Sequence, residues 1–391
     1  MKIAEAITGD ELKRKAGGAV AARRTVSAMP EYHPPLAARE ALRLDFNENT
    51  LAASPHVLEA LRLVTAEGLT KYPEREGVEQ VVASHFSLEA GQVLLTNGVD
   101  EAIHLLCAAF LEEEDQALIA TPGFFMYDVS AGMMTSHVVK VQADASLEFP
   151  FRRFVDAITP RTKLIMLASP NNPTGGVILR EQLLAICEAA PRAVVLVDEA
   201  YFHFHGETLL DQVGLVDNLI VARTFSKAYG LAFLRIGMLA GPAGLLRYAR
   251  KVSSPYNVNG VALACLPAAL QDDAYVEWYA REVRTGRVRM MEGLRELGVE
   301  FFASHANFVL MKIGPKHAEL VRSMREHGVL LRDRSTDPGC DGYVRITVGV
   351  EDHVERGLAA LKQSLGEIGW APEQVFCDAA AAHPEAEREF E

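Results

Sequence analysis

The chain has 391 residues, 49% of them apolar and 23% charged, with 39 Lys and Arg against 52 Asp and Glu for a formal net charge of -13. That length exceeds one ordinary domain, and the balance excludes a disordered chain, a collagen-like repeat and a surface built to neutralise nucleic-acid phosphates. Five cysteines stand far apart (Cys107, Cys187, Cys265, Cys340, Cys377), which suggests neither a disulfide framework nor a zinc site and fits a reducing, cytoplasmic compartment.

Residues 1–30 hold six Lys or Arg, three Asp or Glu and few large apolar side chains, and read as an N-terminal arm. From 56 onward, helical periodicity alternates with short apolar runs at 93–95, 117–120, 164–168, 193–197 and 219–222, each ending in turn residues. Runs that are apolar throughout are what a mostly parallel sheet covered by helices on both faces requires, so an α/β domain spans 56–270. The longest apolar stretch, 260–270, is too short to cross a membrane and contains Pro267. Beyond 275, long charged helices at 275–297, 317–327 and 354–365 interleave with strand-like stretches at 307–311 and 343–348. These form a smaller α+β domain made of 31–55 and 271–370, followed by an acidic tail at 371–391.

In open α/β sheets, ligands bind beyond the carboxyl ends of the strands, so the residues after each run are the candidates for chemistry. The first run leads to Asn97-Gly98-Val99-Asp100-Glu101, where a Gly at a strand-to-helix turn lets backbone N–H groups approach an anion. The third ends in Ser169-Pro170-Asn171-Asn172-Pro173-Thr174-Gly175, a rigid turn able to aim an Asn amide. The fourth runs into Asp198-Glu199-Ala200-Tyr201; a carboxylate there needs a charged partner or strong donors, unless Asp198 merely caps the next helix. The fifth leads to Arg223-Thr224-Phe225-Ser226-Lys227, with Arg235 eight residues on: two hydroxyls, an Arg and a Lys, a set suited to holding a phosphate while leaving one amine to form a Schiff base.

Each signal is weak alone, and together they describe one ligand. Its phosphate meets Gly98, Val99, Thr224, Ser226 and Arg235; its ring nitrogen is kept cationic by Asp198; its ring oxygen faces Asn172 and Tyr201; its aldehyde meets Lys227. That ligand is pyridoxal phosphate. His203 and His205 alternate on one segment without a third metal ligand nearby in sequence, and no metal is expected.

At these residues the sequence resembles the fold-type-I, pyridoxal-phosphate-dependent aminotransferases of class I/II, from about 30 to 368, through Ser226-Lys227-Ala228-Tyr229-Gly230, Arg235-Ile236-Gly237 and Val344-Arg345-Ile346-Thr347-Val348-Gly349. Within that group it is most similar to the histidinol-phosphate aminotransferases, through Asp45-Phe46-Asn47-Glu48-Asn49, Lys71-Tyr72-Pro73, Pro255-Tyr256-Asn257-Val258-Asn259 and Leu331-Arg332-Asp333-Arg334. The resemblance implies a seven-stranded, mostly parallel sheet. It also implies a homodimer with shared sites in which Tyr72 reaches the neighbouring subunit's cofactor. Phe124 stacks on the ring, with Asp100 also in the cofactor site, and Arg345, Arg332, Asn172 and Tyr32 bind substrate.

The implied reaction passes the amine of L-histidinol phosphate to 2-oxoglutarate, with Lys227, Asp198 and Tyr201 as the catalytic set. Two alternatives share the same residues: an aminotransferase for aromatic or other amino acids, and a lyase like the threonine-phosphate decarboxylases. Three positions depart from the family pattern: Phe124 stands where Tyr is usual, Phe233 where Gly is common and Met238 where an aromatic is expected.

Overall fold

The structure is a computed structural model that describes residues 20, 22–27 and 40–372. Most of the N-terminal arm, Tyr32, and nearly all of the acidic tail with Cys377 lie outside the described residues; of the arm, a single helical turn at Arg24–Ser27 is described.

In chain order the strands are β1 (Leu42–Arg43), β2 (Val93–Thr96), β3 (Gln116–Thr121), β4 (His137–Gln142), β5 (Thr162–Ala168), β6 (Val194–Asp198), β7 (Leu219–Thr224), β8 (Gly237–Ala240), β9 (Glu300–Phe301), β10 (Phe308–Lys312), β11 (Val329–Leu330), β12 (Arg332–Asp333) and β13 (Tyr343–Thr347). Seven of them form one sheet in the order β2-β8-β7-β6-β5-β3-β4. The four pairings from β7 to β4 are parallel, while β8 runs antiparallel to both β7 and β2. A second sheet, antiparallel, has the order β12-β13-β10-β9, and β1 pairs in parallel with β11.

Side chains alternate across a strand, and the large sheet buries both sets. One face carries Leu95, Leu118, Ile165, Val195, Val197, Val221 and Met238 into a core continuous with Phe308, Val344 and Ile346 of the second sheet. The other carries Leu94, Ile119, Leu164, Met166, Leu196, Ile220 and Leu239. Each full burial of a Leu, Ile or Val contributes about 1.5–3 kcal/mol, so one sheet anchors two cores and the second sheet is fused to one of them.

All five apolar runs are strands. The two strands of this sheet that the pattern does not reveal are β4, which is half exposed at the sheet edge, and β8, which has only four residues. The predicted helix at 275–297 spans Asp273–Glu296, because the Asp272 side chain accepts the Tyr275 N–H at 3.2 Å and starts it earlier. Residues 260–270 form a helix, Gly260–Leu270, with Pro267 inside it. No described helix is long and apolar enough to cross a membrane.

Candidate active site

The first strand end is a cradle. β2 passes through Asn97 into the helix Gly98–Phe110, whose first N–H groups have no acceptor within the helix. Gly98 has φ +75°, and a Cβ there would lie 2.7 Å from Nη2 of Arg235. Arg235 itself sits at φ 52°, a left-handed conformation that costs a non-glycine residue about 1–2 kcal/mol. Its guanidinium is held there by Asp100 Oδ2 at 3.0 Å and Ser226 Oγ at 3.5 Å. Ser226 in turn donates its N–H to Thr224 Oγ1 at 3.1 Å. Gly98, Asp100, Thr224, Ser226 and Arg235 thus converge, with Val99 on the first helical turn.

The second group is at the end of β6. Asp198 is buried; the Tyr127 hydroxyl donates to Oδ2 at 2.8 Å and the Ala200 N–H to Oδ1 at 3.0 Å. Burial pushes its carboxyl up to about 6, against the pull of those two donors, and the nearby Asp100 and Glu199 carboxylates add to the rise. Sequence reasoning demanded a cation or strong donors for this group, and the chain provides neutral donors. A buried carboxylate held in this way suits a cationic ring nitrogen brought by a ligand. Asp198 does not cap the next helical turn, Phe202–Phe204, whose N-cap position is Tyr201; its bond to the Ala200 N–H is local to the strand end.

Lys227 lies in the turn after β7 and donates from Nζ to the Phe46 carbonyl at 2.9 Å. Burial brings its amine down to about 8, and the cations of Arg345 and Arg235 act in the same direction. Arg345, on β13, is buried and donates through Nη1 to Asn172 Oδ1 at 2.6 Å and through Nη2 to the Asp45 carbonyl at 2.7 Å. Its Nε is buried without a hydrogen-bond partner. Burial lowers this guanidinium to about 9, and the neighbouring Arg334 and Arg332 push it the same way. Arg332 pairs with Arg345 in strand register, and its guanidinium lies 5.4 Å from the Phe46 ring centre. Tyr201 accepts the Asn47 Nδ2–H at 3.0 Å, and burial raises its hydroxyl.

The segment 45–47 therefore touches three of the predicted site residues at once: Arg345 through the Asp45 carbonyl, Lys227 through the Phe46 carbonyl and Tyr201 through the Asn47 amide. Asn47 is itself pinned by the Thr347 hydroxyl, which accepts its N–H at 3.0 Å, and by Asn307, whose Nδ2 donates to its carbonyl at 3.1 Å. Neither Asn47 nor Tyr127 was singled out as a site residue. The signal for Tyr127 is its position three residues after Phe124, against whose ring it packs edge-on at 5.6 Å; two of the Asn47 contacts are made by backbone and leave no mark on composition.

Other predicted residues lie elsewhere. Arg223 does not join the cradle: on β7 its side chain points away from Thr224, bonding Glu199 Oε2 at 2.8 Å and covering the Phe202 ring at 3.5 Å. Met238 is fully buried in the core on β8, away from any ligand-facing surface, while Phe233 is 95% exposed. Tyr72 is 76% exposed and stacks on Tyr256 with ring centres 4.3 Å apart. His203 is half-buried, its imidazole pushed down to about 3 by desolvation, edge-on to Tyr229, and among the described residues no cluster of three or more His, Cys, Asp or Glu could hold a metal. A cavity of about 960 Å³ is lined by Tyr127, Asn171, Thr174, Phe302, Lys312 and Trp370 among others, and by none of Asp198, Lys227, Arg235 and Arg345.

The family model for "Aminotransferase class I and II" matches residues 39–361. A histidinol-phosphate aminotransferase of Caldanaerobacter subterraneus subsp. tengcongensis is 32% identical over 328 residues, 83% of this chain and 93% of the relative. One of Symbiobacterium thermophilum is 35% identical over 339 residues, 85% of this chain and 92% of the relative. The crystal structure of histidinol-phosphate aminotransferase from Sinorhizobium meliloti in complex with pyridoxal-5'-phosphate superposes with TM-score 0.80 at 23% identity, over 90% of this chain and all of that one, and shares the fold.

Proposed function

The chain belongs to the class I and II aminotransferase family, and from that premise we propose that it moves the amino group of L-histidinol phosphate to 2-oxoglutarate, giving imidazole acetol phosphate and L-glutamate in histidine biosynthesis. Its cofactor is pyridoxal phosphate, and three features of the chain suit that group: the raised, buried Asp198, the lowered Lys227, and the Gly98 turn that a Cβ would fill. When bound, pyridoxal phosphate supplies an electron-withdrawing ring that stabilises negative charge on the substrate's Cα.

The residues divide the remaining work. Gly98, Val99, Asp100, Thr224, Ser226 and Arg235 hold the phosphate end, and Phe124 covers the ring. Asp198 keeps a proton on the ring nitrogen, and Tyr127 orients Asp198. Tyr201 and Asn172 flank the ring oxygen. Lys227, near neutrality, is the base that takes the proton from the substrate's Cα and returns it during the exchange. Arg345 binds the anionic group of each substrate in turn, because a guanidinium fork accepts a carboxylate or a phosphate equally well. The observation that carries the substrate reading is this buried Arg345 with Arg332 and Arg334 as charged neighbours, a site for strongly anionic molecules.

We further infer a homodimer, supported by the exposed Tyr72–Tyr256 stack, with Tyr72 reaching the partner's cofactor and Tyr32 the substrate. A division into 31–55 with 271–370 and 56–270 is supported by the two sheets, and a cytoplasmic location by the four described cysteines, all free.

The reading is tested by mixing the cofactor-loaded protein separately with L-histidinol phosphate, L-phenylalanine and L-threonine phosphate and following the absorbance of the lysine-linked cofactor. Conversion to the amine form at the lowest concentration by histidinol phosphate is expected. Preference for phenylalanine would move the substrate, and release of carbon dioxide from threonine phosphate would make the protein a lyase.

The lowered Lys227 has a kinetic consequence. An amine attacks an aldehyde only when neutral; with a value of about 8 rather than 10.5, about a tenth of it is neutral at pH 7 instead of about one part in three thousand. Uptake of pyridoxal phosphate by the cofactor-free protein should therefore accelerate about tenfold per pH unit below 8 and level off above it. A rate still climbing at pH 10 would contradict the assigned role of burial.

A further inference from the structure

β2 is the edge strand of the large sheet, and it carries the cradle at its end. An unpaired strand edge leaves N–H and C=O groups without partners. Here side chains take them. Glu79, from the helix Glu76–His85, accepts the Leu95 N–H at 2.9 Å through Oε1. Arg250, from the helix Ala243–Val252, donates to the Val93 carbonyl and, at 2.8 Å, to Glu79 Oε2. Asn257 donates from Nδ2 to the Leu95 carbonyl at 3.2 Å.

Asn257 does more than cover the edge. The same Nδ2 donates at 2.7 Å to Glu101 Oε2, and that oxygen accepts the Asn97 N–H at 2.6 Å. The other end of the Asn257 amide accepts from Arg75 Nη1, and Arg75 is ion-paired with Glu79 at 3.1 Å. An amide bound at its oxygen by a guanidinium and at its nitrogen by a carbonyl and a carboxylate has one orientation available. Glu101 is thereby fixed from outside the helix on which it rides, and its fixed oxygen sets the backbone of Asn97, the residue that immediately precedes Gly98. Asn257, Glu101 and Arg75 all stand behind the turn; the groups that face the ligand are Gly98, Ser226 and Arg235.

We propose that Asn257 is the positioning residue of the phosphate cradle: held by Arg75, it fixes Glu101, and through Glu101 it sets the Asn97–Gly98 turn. The proposal rests on the reading above that this turn holds the cofactor's phosphate. It makes the residues at 255–259, which carry Tyr256, part of what determines how tightly the phosphate is gripped.

The test compares pyridoxal phosphate with pyridoxal, which has the same ring and aldehyde and no phosphate. Binding of each to the cofactor-free protein is read from absorbance, for the native chain, Asn257→Ala, Glu101→Ala and the double variant. Asn257→Ala should weaken pyridoxal phosphate about tenfold to thirtyfold and leave pyridoxal within about twofold, since the lost bond to the charged Glu101 acceptor bears on the phosphate end, while the Leu95 carbonyl bond lost with it bears equally on both ligands. Glu101 is partly exposed and accepts no group of the strand edge, so its variant checks the relay without exposing β2; the double variant should be no weaker than the worse single one. Equal losses for the two ligands would mean that Asn257 only stabilises the fold, and unchanged affinities would mean that it positions nothing; either overturns the proposal. A native chain that binds both ligands equally would instead bring down the reading of the cradle on which the proposal rests.

Discussion

Replacing Lys227 by alanine is expected to lower transamination by at least about 10⁴-fold and to remove the absorbance of the lysine-linked cofactor, while the protein stays folded. The magnitude follows from the two tasks proposed for that one amine, covalent attachment and proton transfer, the second alone being worth about 10²–10⁴-fold. No other described residue can replace it. Arg345 and Arg235, its nearest cations, carry guanidinium groups that do not give up protons near neutrality. Structurally the change is mild, since Lys227 sits in a turn and its side chain makes one hydrogen bond, to the Phe46 carbonyl. Single-turnover measurement with histidinol phosphate, alongside far-UV circular dichroism, checks both halves. Turnover above a hundredth of the native rate in a folded variant would sink the assignment of Lys227.

Asp198→Asn is expected to reduce turnover by about 10²–10³-fold. Asparagine has the same shape, and its oxygen still accepts the Ala200 N–H, so the local backbone is kept. What disappears is the negative charge, together with the acceptor that Oδ2 offers the Tyr127 hydroxyl, and removing one member of a buried ion pair costs about 3–5 kcal/mol. The loss should fall on kcat, leaving the KM for either substrate within about threefold, because in the proposed roles Asp198 meets the ring nitrogen and Arg345 the substrate's anion. The competing view, that Asp198 merely holds the strand end through the Ala200 N–H, makes the opposite forecast: asparagine accepts that bond as well as aspartate and would be nearly silent. A half-reaction rate within threefold of native would decide for that view.

The sequence and the structure agree where one physical cause dominates. A strand buried on both faces needs an unbroken apolar run, so β2, β3, β5, β6 and β7 are visible in the text, and the topology of such a sheet puts chemistry at their carboxyl ends. Lys227, Asp198 and the Gly98 turn follow from that rule alone. The structure adds what depends on orientation. Arg223 and Thr224 are adjacent in sequence and face opposite ways on β7, so only one of them belongs to the cradle. Phe46 and Asp45 serve the site through carbonyl oxygens, which every residue possesses. Tyr127 acts on Asp198 from a helix on another strand's connection, a contact 71 positions long that no local pattern encodes. Two of the three departures from the family pattern separate likewise: Met238 packs the core, whereas Phe233 stands in solvent.

The fastening of Asn47 to Thr347, 300 positions apart, sets a schedule for the newborn protein. Translation delivers residues at about 5–20 per second, so about 15–60 s separate the appearance of these two residues. During that interval the sheet bearing Lys227 and Asp198 has already been synthesised, yet the segment that gives Lys227, Tyr201 and Arg345 their partners lacks the strands that pin it. A translation product that stops short of β13 would contain Lys227 without the strand that pins the segment 45–47.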